Sequence, residues 1–219
     1  MEPPPRIISL DDTLALRAFA GEADLAELFR VIDESLDHLR PWMPWVSEHS
    51  RDRTAQFLTK RTELWATGAA YAYAITLDGA IVGMCGLFRR DENQDGLREI
   101  GYWLHPSATG RGLATRTTRT LTELAFRLLG VDVIEIVHDA ANLPSAAVAA
   151  RLGFTAYERR PNEALAPAET GMDQVWRLTR DQVGHLTRDE VPQPARDRVR
   201  RPAPDRVRRP GRPALTDVP

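Results

Sequence analysis

The residues with the most legible chemistry lie mid-chain, in LHPSATGRGLATRTTRTL at 104–121. Pro106 ends a strand, and Gly110 and Gly112 flank Arg111 where a helix begins. A helix start leaves about four backbone N–H groups without intrahelical partners. Glycines let a ligand come close to that backbone, and the helix dipole favours an anion by roughly 0.3–1 kcal/mol per charge at an exposed site. First turns usually carry Asp or Glu. Here no acid occurs between Glu99 and Glu123, whereas Arg111, Arg116 and Arg119 do. A helix start kept open for an external anion is one reading. A Gly-rich turn with a few solvated arginines is the other. The phosphate-loop pattern GxxxxGK[ST] is absent. Gly110-x-Gly112-x-x-Thr115 falls one glycine short of the dinucleotide fingerprint, and a dinucleotide fold needs two βαβ halves where this chain offers one.

Other reactive residue types are sparse. Cys85 is the sole cysteine, so an intramolecular disulfide and a cysteine zinc cluster are excluded. In an apolar strand it reads as a small buried side chain. His38, His49 and His185 have no partner at ligand spacing, and neither HExxH nor HxxxH occurs, so no metal is expected. His138-Asp139 ends a strand and reads as fixing the following loop. No GxSxG elbow occurs. Glu99, by its local sequence, is a surface carboxylate at a strand start, paired with Arg98 or Arg90. Tyr102 and Trp103 are either core or in contact with a substrate. Trp42 and Trp45, in the Pro-constrained RPWMPW at 40–45, form a hydrophobic plug or line a cleft.

Strands and helices must position these residues. Leu14, Leu16 and Ala18 mark a first strand. An apolar stripe at helical spacing covers 21–39. Ser50 caps a second helix that runs to about Thr67 and stops at Gly68. Tyr71–Leu77 and Ala80–Phe88 flank Asp78-Gly79, a hairpin signal. A strand at about Leu97–Leu104 precedes the glycines and a helix at 112–129. Then follow a short strand at Val133–Val137, a helix at 142–152 ended by Gly153, and closing strands at Phe154–Arg159 and Asp173–Thr179. The order β-α-α-β-β-β-α-β-α-β-β implies a mixed α/β sheet. Strand 97–104, helix and strand 133–137 form one parallel crossover.

The 219 residues, 42% hydrophobic and 27% charged with net charge −2, describe a globular chain with a real core. No stretch is long enough to span a bilayer, and the N-terminus lacks a signal-peptide pattern. A cytoplasmic protein, monomer or homodimer, without membrane association is expected. From Pro192 onward eight arginines face three aspartates, a surplus of +5 that leaves −7 on residues 1–191. An acidic body with a basic tail is unlike a nucleic-acid-binding domain. The tail repeats DRVRRP at 197–202 and 205–210 and reads as disordered. It is either an inert extension or a weak electrostatic tether to RNA, acidic lipid or an acidic partner.

EIGYWLHPSATGRGLAT (99–115) together with VIEIVHDAANLPSAAVAARLGF (133–154) resembles the GNAT superfamily of acetyl-coenzyme A dependent N-acetyltransferases, in its RimJ/RimL-type branch. The similarity covers most of 10–179, and the WMPW loop also looks like this branch. The resemblance implies a GNAT fold whose central parallel strands splay apart, with an acetyltransferase domain at 6–179 and an Arg/Pro-rich tail at 180–219. It also implies acetyl transfer to a primary amine by direct attack in a ternary complex. The acceptor would be a protein N-terminal α-amine or a small amine or antibiotic. A non-catalytic coenzyme A-binding module is the alternative.

By position, Gly110, Arg111, Gly112, Leu113, Ala114 and Thr115 would hold the pyrophosphate. Leu104 and His105 would align the pantetheine arm through main-chain bonds, and Asn142 would bond its amides. In the family a bulge on the strand before the glycines turns an N–H toward the thioester carbonyl as oxyanion donor. Glu99 stands at the position of the branch's general base. Ser145, three residues after Asn142, stands at that of its acid, the other reading being a first-turn residue that caps backbone. Trp42, Trp45 and Tyr102 would wall the acceptor cleft. Two positions depart from the wider pattern. Ser107 replaces the first residue of [QR]xxGxG, and Ala149 stands where many members carry an acidic-proton Tyr.

Overall fold

The computed structural model describes residues 3–89 and 96–185. In chain order the strands are β1 (Ile7–Ser9), β2 (Leu14–Ala18), β3 (Ala70–Leu77), β4 (Ala80–Phe88), β5 (Leu97–Leu104), β6 (Val133–Asp139), β7 (Thr155–Pro161) and β8 (Met172–Thr179). The α-helices are α1 (Leu25–Asp33), α2 (Leu36–Leu39), α3 (Arg51–Thr67), α4 (Leu113–Arg127) and α5 (Leu143–Arg151). Among the described residues the strands form one sheet in the order β1-β2-β3-β4-β5-β6-β8-β7. Every neighbouring pair is antiparallel except β5 and β6, as the single crossover requires.

Helices cover both faces of the sheet. α1 and α3 bury Leu28, Ile32, Phe57 and Leu58 against Ala72, Ala74, Met84 and Trp103. α4 and α5 bury Leu121, Ala125, Val148 and Ala149 against Ile100, Ile134 and Ile136. Local chemistry sets the ends of these elements. Ser50 Oγ accepts from Arg53 N–H at 3.2 Å to start α3, and Gly68 ends it at φ 71°. Asp78 and Gly79 both take positive φ in the β3–β4 turn, as a two-residue hairpin demands.

Three expectations are corrected. A short strand, β1, precedes the first one read from the sequence and pairs with it. The stripe over 21–39 is not one helix: a 3-10 turn at Gly21–Asp24 precedes α1, and α2 is separate. At the break the buried Ser35 hydroxyl donates to Val31 O at 2.6 Å, the kind of back-bonding that bends helices. The body also runs past residue 179. Arg180 N–H donates to Asp132 O at 2.9 Å, and its guanidinium donates to Phe126 O and Val131 O, which ties the turn at Arg180–His185 to the end of α4. Of the tail expected to be disordered at 180–219, residues 186–219 lie outside the described residues, as does Arg90.

Candidate active site

β5 and β6 pair at Leu97–Val133, Arg98–Ile134 and Glu99–Glu135, and nowhere beyond. β5 continues to Leu104 paired only with β4, and β6 continues to Asp139 paired only with β8. The two strands therefore part in the middle of the sheet. Backbone groups alternate in direction along a strand. Val133 N–H donates to Gly96 O, and His105 N–H donates to Val82 O at 2.8 Å. The even-numbered residues of β5 thus turn N–H and C=O toward β6. Past the last paired position these belong to Ile100, Tyr102 and Leu104.

Beyond β5, a turn at Pro106–Ala108 leads to Gly110 (φ 71°) and Gly112 (φ 74°), the latter the N-cap of α4. Left-handed backbone at both positions explains why both are glycine. No side chain caps α4, and no acid occupies its first turn. Arg116 N–H makes the first bond, to Gly112 O. Among the described residues, the six N–H groups from Gly110 to Thr115 have no partner. They lie together at an exposed helix end, with Arg111 and Arg119 exposed around them. Arg116 is held by Asp11 at 2.6 Å. The Leu14 amide, with Arg116 and Thr13, keeps the Asp11 carboxyl well below the usual carboxylate range.

Side chains of β5 alternate between faces. Ile100, Tyr102 and Leu104 face the α4–α5 layer, whereas Trp103 joins the α1–α3 layer. Glu99 shares the side of Trp103. It is 1% exposed and sits at the last paired position, where the strands begin to separate. The surface-carboxylate reading is corrected by this burial. Ser145, in the first turn of α5, lies on the opposite face. Its N–H is capped by Asn142 Oδ1 at 3.2 Å, and its Oγ lies 3.0 Å from the Tyr102 hydroxyl. Tyr102 therefore faces α5 and not the tryptophans with which it was grouped. Burial pushes its phenol up to about 12, against the lowering effect of the Ser145 bond.

Two main-chain expectations are also corrected. His105 spends its N–H on Val82 O, and its C=O already accepts from Ala108 N–H, so it has no N–H for a ligand. Its ring meets Ser107 Oγ at 2.7 Å and lies 3.5 Å from Glu34. Nor is there a bulge on β5, whose register with β4 is unbroken from Glu99 to Leu104. The irregularities fall at Ile75/Thr76 and Ala156/Glu158. An N–H aimed into the gap needs no bulge, because the loss of β6 leaves one exposed.

A cavity of about 840 Å³ joins these parts, from the amides of α4 through the gap to the tryptophan loop. Trp42 and Trp45 both line it. Trp45 is buried, 6.3 Å from Trp103 ring to ring. Sequence reasoning missed the opposite wall. Residues 162–171, between β7 and β8, place Leu165 and Glu163 at the cavity, and Ala168 N–H donates to Pro41 O at 3.0 Å. Its one signal was length, since a hairpin rarely needs ten residues. His38 also reaches the cavity. Burial, aided by His105, lowers its pKa.

Asp139 and His138 bind the loops around the gap. The Asp139 carboxylate accepts from the N–H groups of Ala141, Thr170 and Met172 and from the Thr170 hydroxyl. His138 Nε2 accepts from the Trp176 indole at 2.9 Å, and its Nδ1 bonds Asp139 O. Cys85 is fully buried, which pushes its thiol up. Among the described residues no cluster of His, Cys, Asp or Glu is placed to hold a metal, and no helix is long and apolar enough to cross a membrane.

The acetyltransferase (GNAT) domain model matches residues 13–155, which include the parted strands and the open helix start. The chain belongs to the GNAT acetyltransferase family. It is 35% identical over 77 residues to a Bacillus subtilis (strain 168) protein named "Putative ribosomal N-acetyltransferase YdaF". That match spans 35% of this chain and 42% of the relative's length. Solved GNAT structures share the fold. One is RimL, described as a ribosomal L7/L12 alpha-N-protein acetyltransferase, in complex with coenzyme A. It superposes with a TM-score of 0.74 at 22% identity, covering 80% of this chain and 99% of RimL. Mycobacterium smegmatis RimJ, in complex with CoA-disulfide, gives 0.74 at 23%, covering 84% and 92%. The microcin C7 self-immunity acetyltransferase MccE, in complex with acetyl-CoA and AMP, gives 0.73 at 19%, covering 80% and 97%.

Proposed function

We propose that the chain transfers an acetyl group from acetyl-coenzyme A to a primary amine, by direct attack in a ternary complex. The observation that carries this reading is the continuity of three features: six unpartnered amides at α4, a gap between β5 and β6, and a buried carboxylate at its apex. The amides from Gly110 to Thr115, with Arg111, suit a diphosphate. The edge groups of Leu104 and the Asn142 side chain suit the amides of a pantetheine arm. The RimL and MccE complexes with coenzyme A and acetyl-CoA support the same donor here.

The two faces of the sheet divide the chemistry. On the α1–α3 side, Glu99 takes a proton from the amine, directly or through a water, as the nitrogen attacks the thioester carbonyl. Edge N–H groups of β5 receive the developing oxyanion. On the α5 side, Ser145 delivers a proton to the sulfur as the carbon–sulfur bond breaks. The acceptor enters between the tryptophan loop and the 162–171 loop. A peptide α-amine fits this open mouth, in keeping with the ribosomal-protein acetyltransferases among the neighbours.

Glu99→Gln tests the reading. Thiol release from acetyl-coenzyme A is followed with peptides bearing N-terminal Ser or Ala. Turnover should fall by about 10²–10⁴ while coenzyme A affinity stays within about twofold. Unchanged turnover overturns the assignment of Glu99. A wild-type chain that binds coenzyme A but releases no thiol with any amine favours a non-catalytic coenzyme A-binding module.

A further inference from the structure

We infer that Tyr102 is a positioning residue that holds the Ser145 hydroxyl as the proton donor of the gap, an inference that rests on the acetyltransferase reading above. Tyr102 stands on β5 past the last residue paired with β6, and its side chain crosses to the first turn of α5. Its hydroxyl lies 3.0 Å from Ser145 Oγ and 3.4 Å from Ser145 O.

Helical hydroxyls elsewhere in the chain behave differently. Those of Thr54, Thr117 and Thr122 donate back to the carbonyl four residues earlier. This is the usual local competitor for such a side chain. Ser145 is the third residue of α5, so the carbonyl four back, that of Ala141, precedes the helix, and its Oγ meets Tyr102 instead. When the Tyr102 hydroxyl donates to Ser145 Oγ, the serine's own O–H is left to point at a third atom. Ser145 N–H is already fixed by Asn142, so with the tyrosine as donor both the backbone and the rotor of the serine are set. Burial keeps the tyrosine protonated throughout the working range.

In the step itself the C–S bond breaks and its electron pair stays on sulfur. The Ser145 proton moves to that sulfur, and Tyr102 stabilises the serine oxygen by hydrogen bonding. Glu99 has taken one proton from the amine and Ser145 has given one, so solvent returns a proton from the first to the second to reset both.

The test compares Tyr102→Phe, Ser145→Ala and the double variant, with acetyl-coenzyme A and the same Ser- or Ala-initiated peptides. Tyr102→Phe keeps the ring and its packing. It should lower kcat about tenfold, the worth of one hydrogen bond, with KM for both substrates and coenzyme A affinity unchanged. In the Ser145→Ala background the same substitution should have no further effect, because its target is gone. A purely structural tyrosine would add its loss in both backgrounds. Two results overturn the inference while leaving the acetyltransferase reading intact: kcat of Tyr102→Phe within twofold of wild type, or a loss fully additive with that of Ser145→Ala. A wild-type chain without thiol release overturns both.

Discussion

Gly112→Asp probes the open helix start most directly. Gly112 sits at φ 74°, ψ 6° as the N-cap of α4, and a Cβ built on it meets nothing within 4 Å. A side chain there costs roughly 1–2 kcal/mol of left-handed strain but no steric clash. Gly112→Ala carries that strain alone, so the difference between Ala and Asp isolates charge. Two unit charges 4 Å apart repel by about 1 kcal/mol in water and about 4 kcal/mol near a protein surface. The helix end is exposed, which places the value toward the lower limit. A diphosphate presents two charges, so the carboxylate should weaken binding by about 2–4 kcal/mol, or roughly 30- to 1,000-fold. Calorimetric titration with coenzyme A should show this loss for Asp relative to Ala at 50 mM salt and a smaller one at 500 mM, where screening shortens the reach of the charge. S-acetyl-pantetheine, which has no phosphate, should react with both variants alike. Equal coenzyme A affinity of the Asp and Ala variants at low salt, or an equal loss with S-acetyl-pantetheine, would refute the assignment of these amides to a phosphate.

Asn142→Ser separates capping from ligand binding. Serine also caps helices, so melting should change by little, while coenzyme A affinity should fall with the lost side-chain amide, as read by titration. Asp139→Ala leaves three backbone N–H groups without their acceptor and should destabilise by roughly 2–4 kcal/mol in urea unfolding. Burial raises the Asp139 pKa, but the Ala141, Thr170 and Met172 bonds outweigh it and the net shift is downward from 3.8. The stabilisation is therefore present above pH 3.8 and lost as pH falls through the folded value, so the wild type and Asp139→Ala should converge in acid. His49, stacked on Phe29 at 4.8 Å, is lowered from 6.5 by burial, against the opposing pull of Asp33. Below pH 6.5 the unfolded chain takes up a proton that the folded one refuses, so melting temperature should drop on acidification. His49→Gln should reduce that slope.

What could be read in the sequence was local. Asp78-Gly79, Ser50 and the pair Gly110/Gly112 each satisfy backbone conditions set within a few residues, and the structure places them as hairpin turn, helix cap and helix start. Leu113, Thr117, Leu121 and Leu124 recur at helical spacing and are buried on α4, because a helix returns every 3.6 residues to one side.

Tertiary structure decided the rest. The burial of Glu99 follows from strands on both sides of it, at Phe88 and Glu135, that lie far along the chain. Strand alternation separates Tyr102 from Trp103, but which face meets α5 and which meets the tryptophan loop depends on packing across the sheet. The wall at 162–171 is held by a bond from Ala168 to Pro41 that no local pattern announces. Above all, β5 and β6 part after Glu99 although both sequences continue as good strands. Periodicity reports what each segment can do, whereas the gap arises from how two distant segments are aligned, and that information resides in their packing.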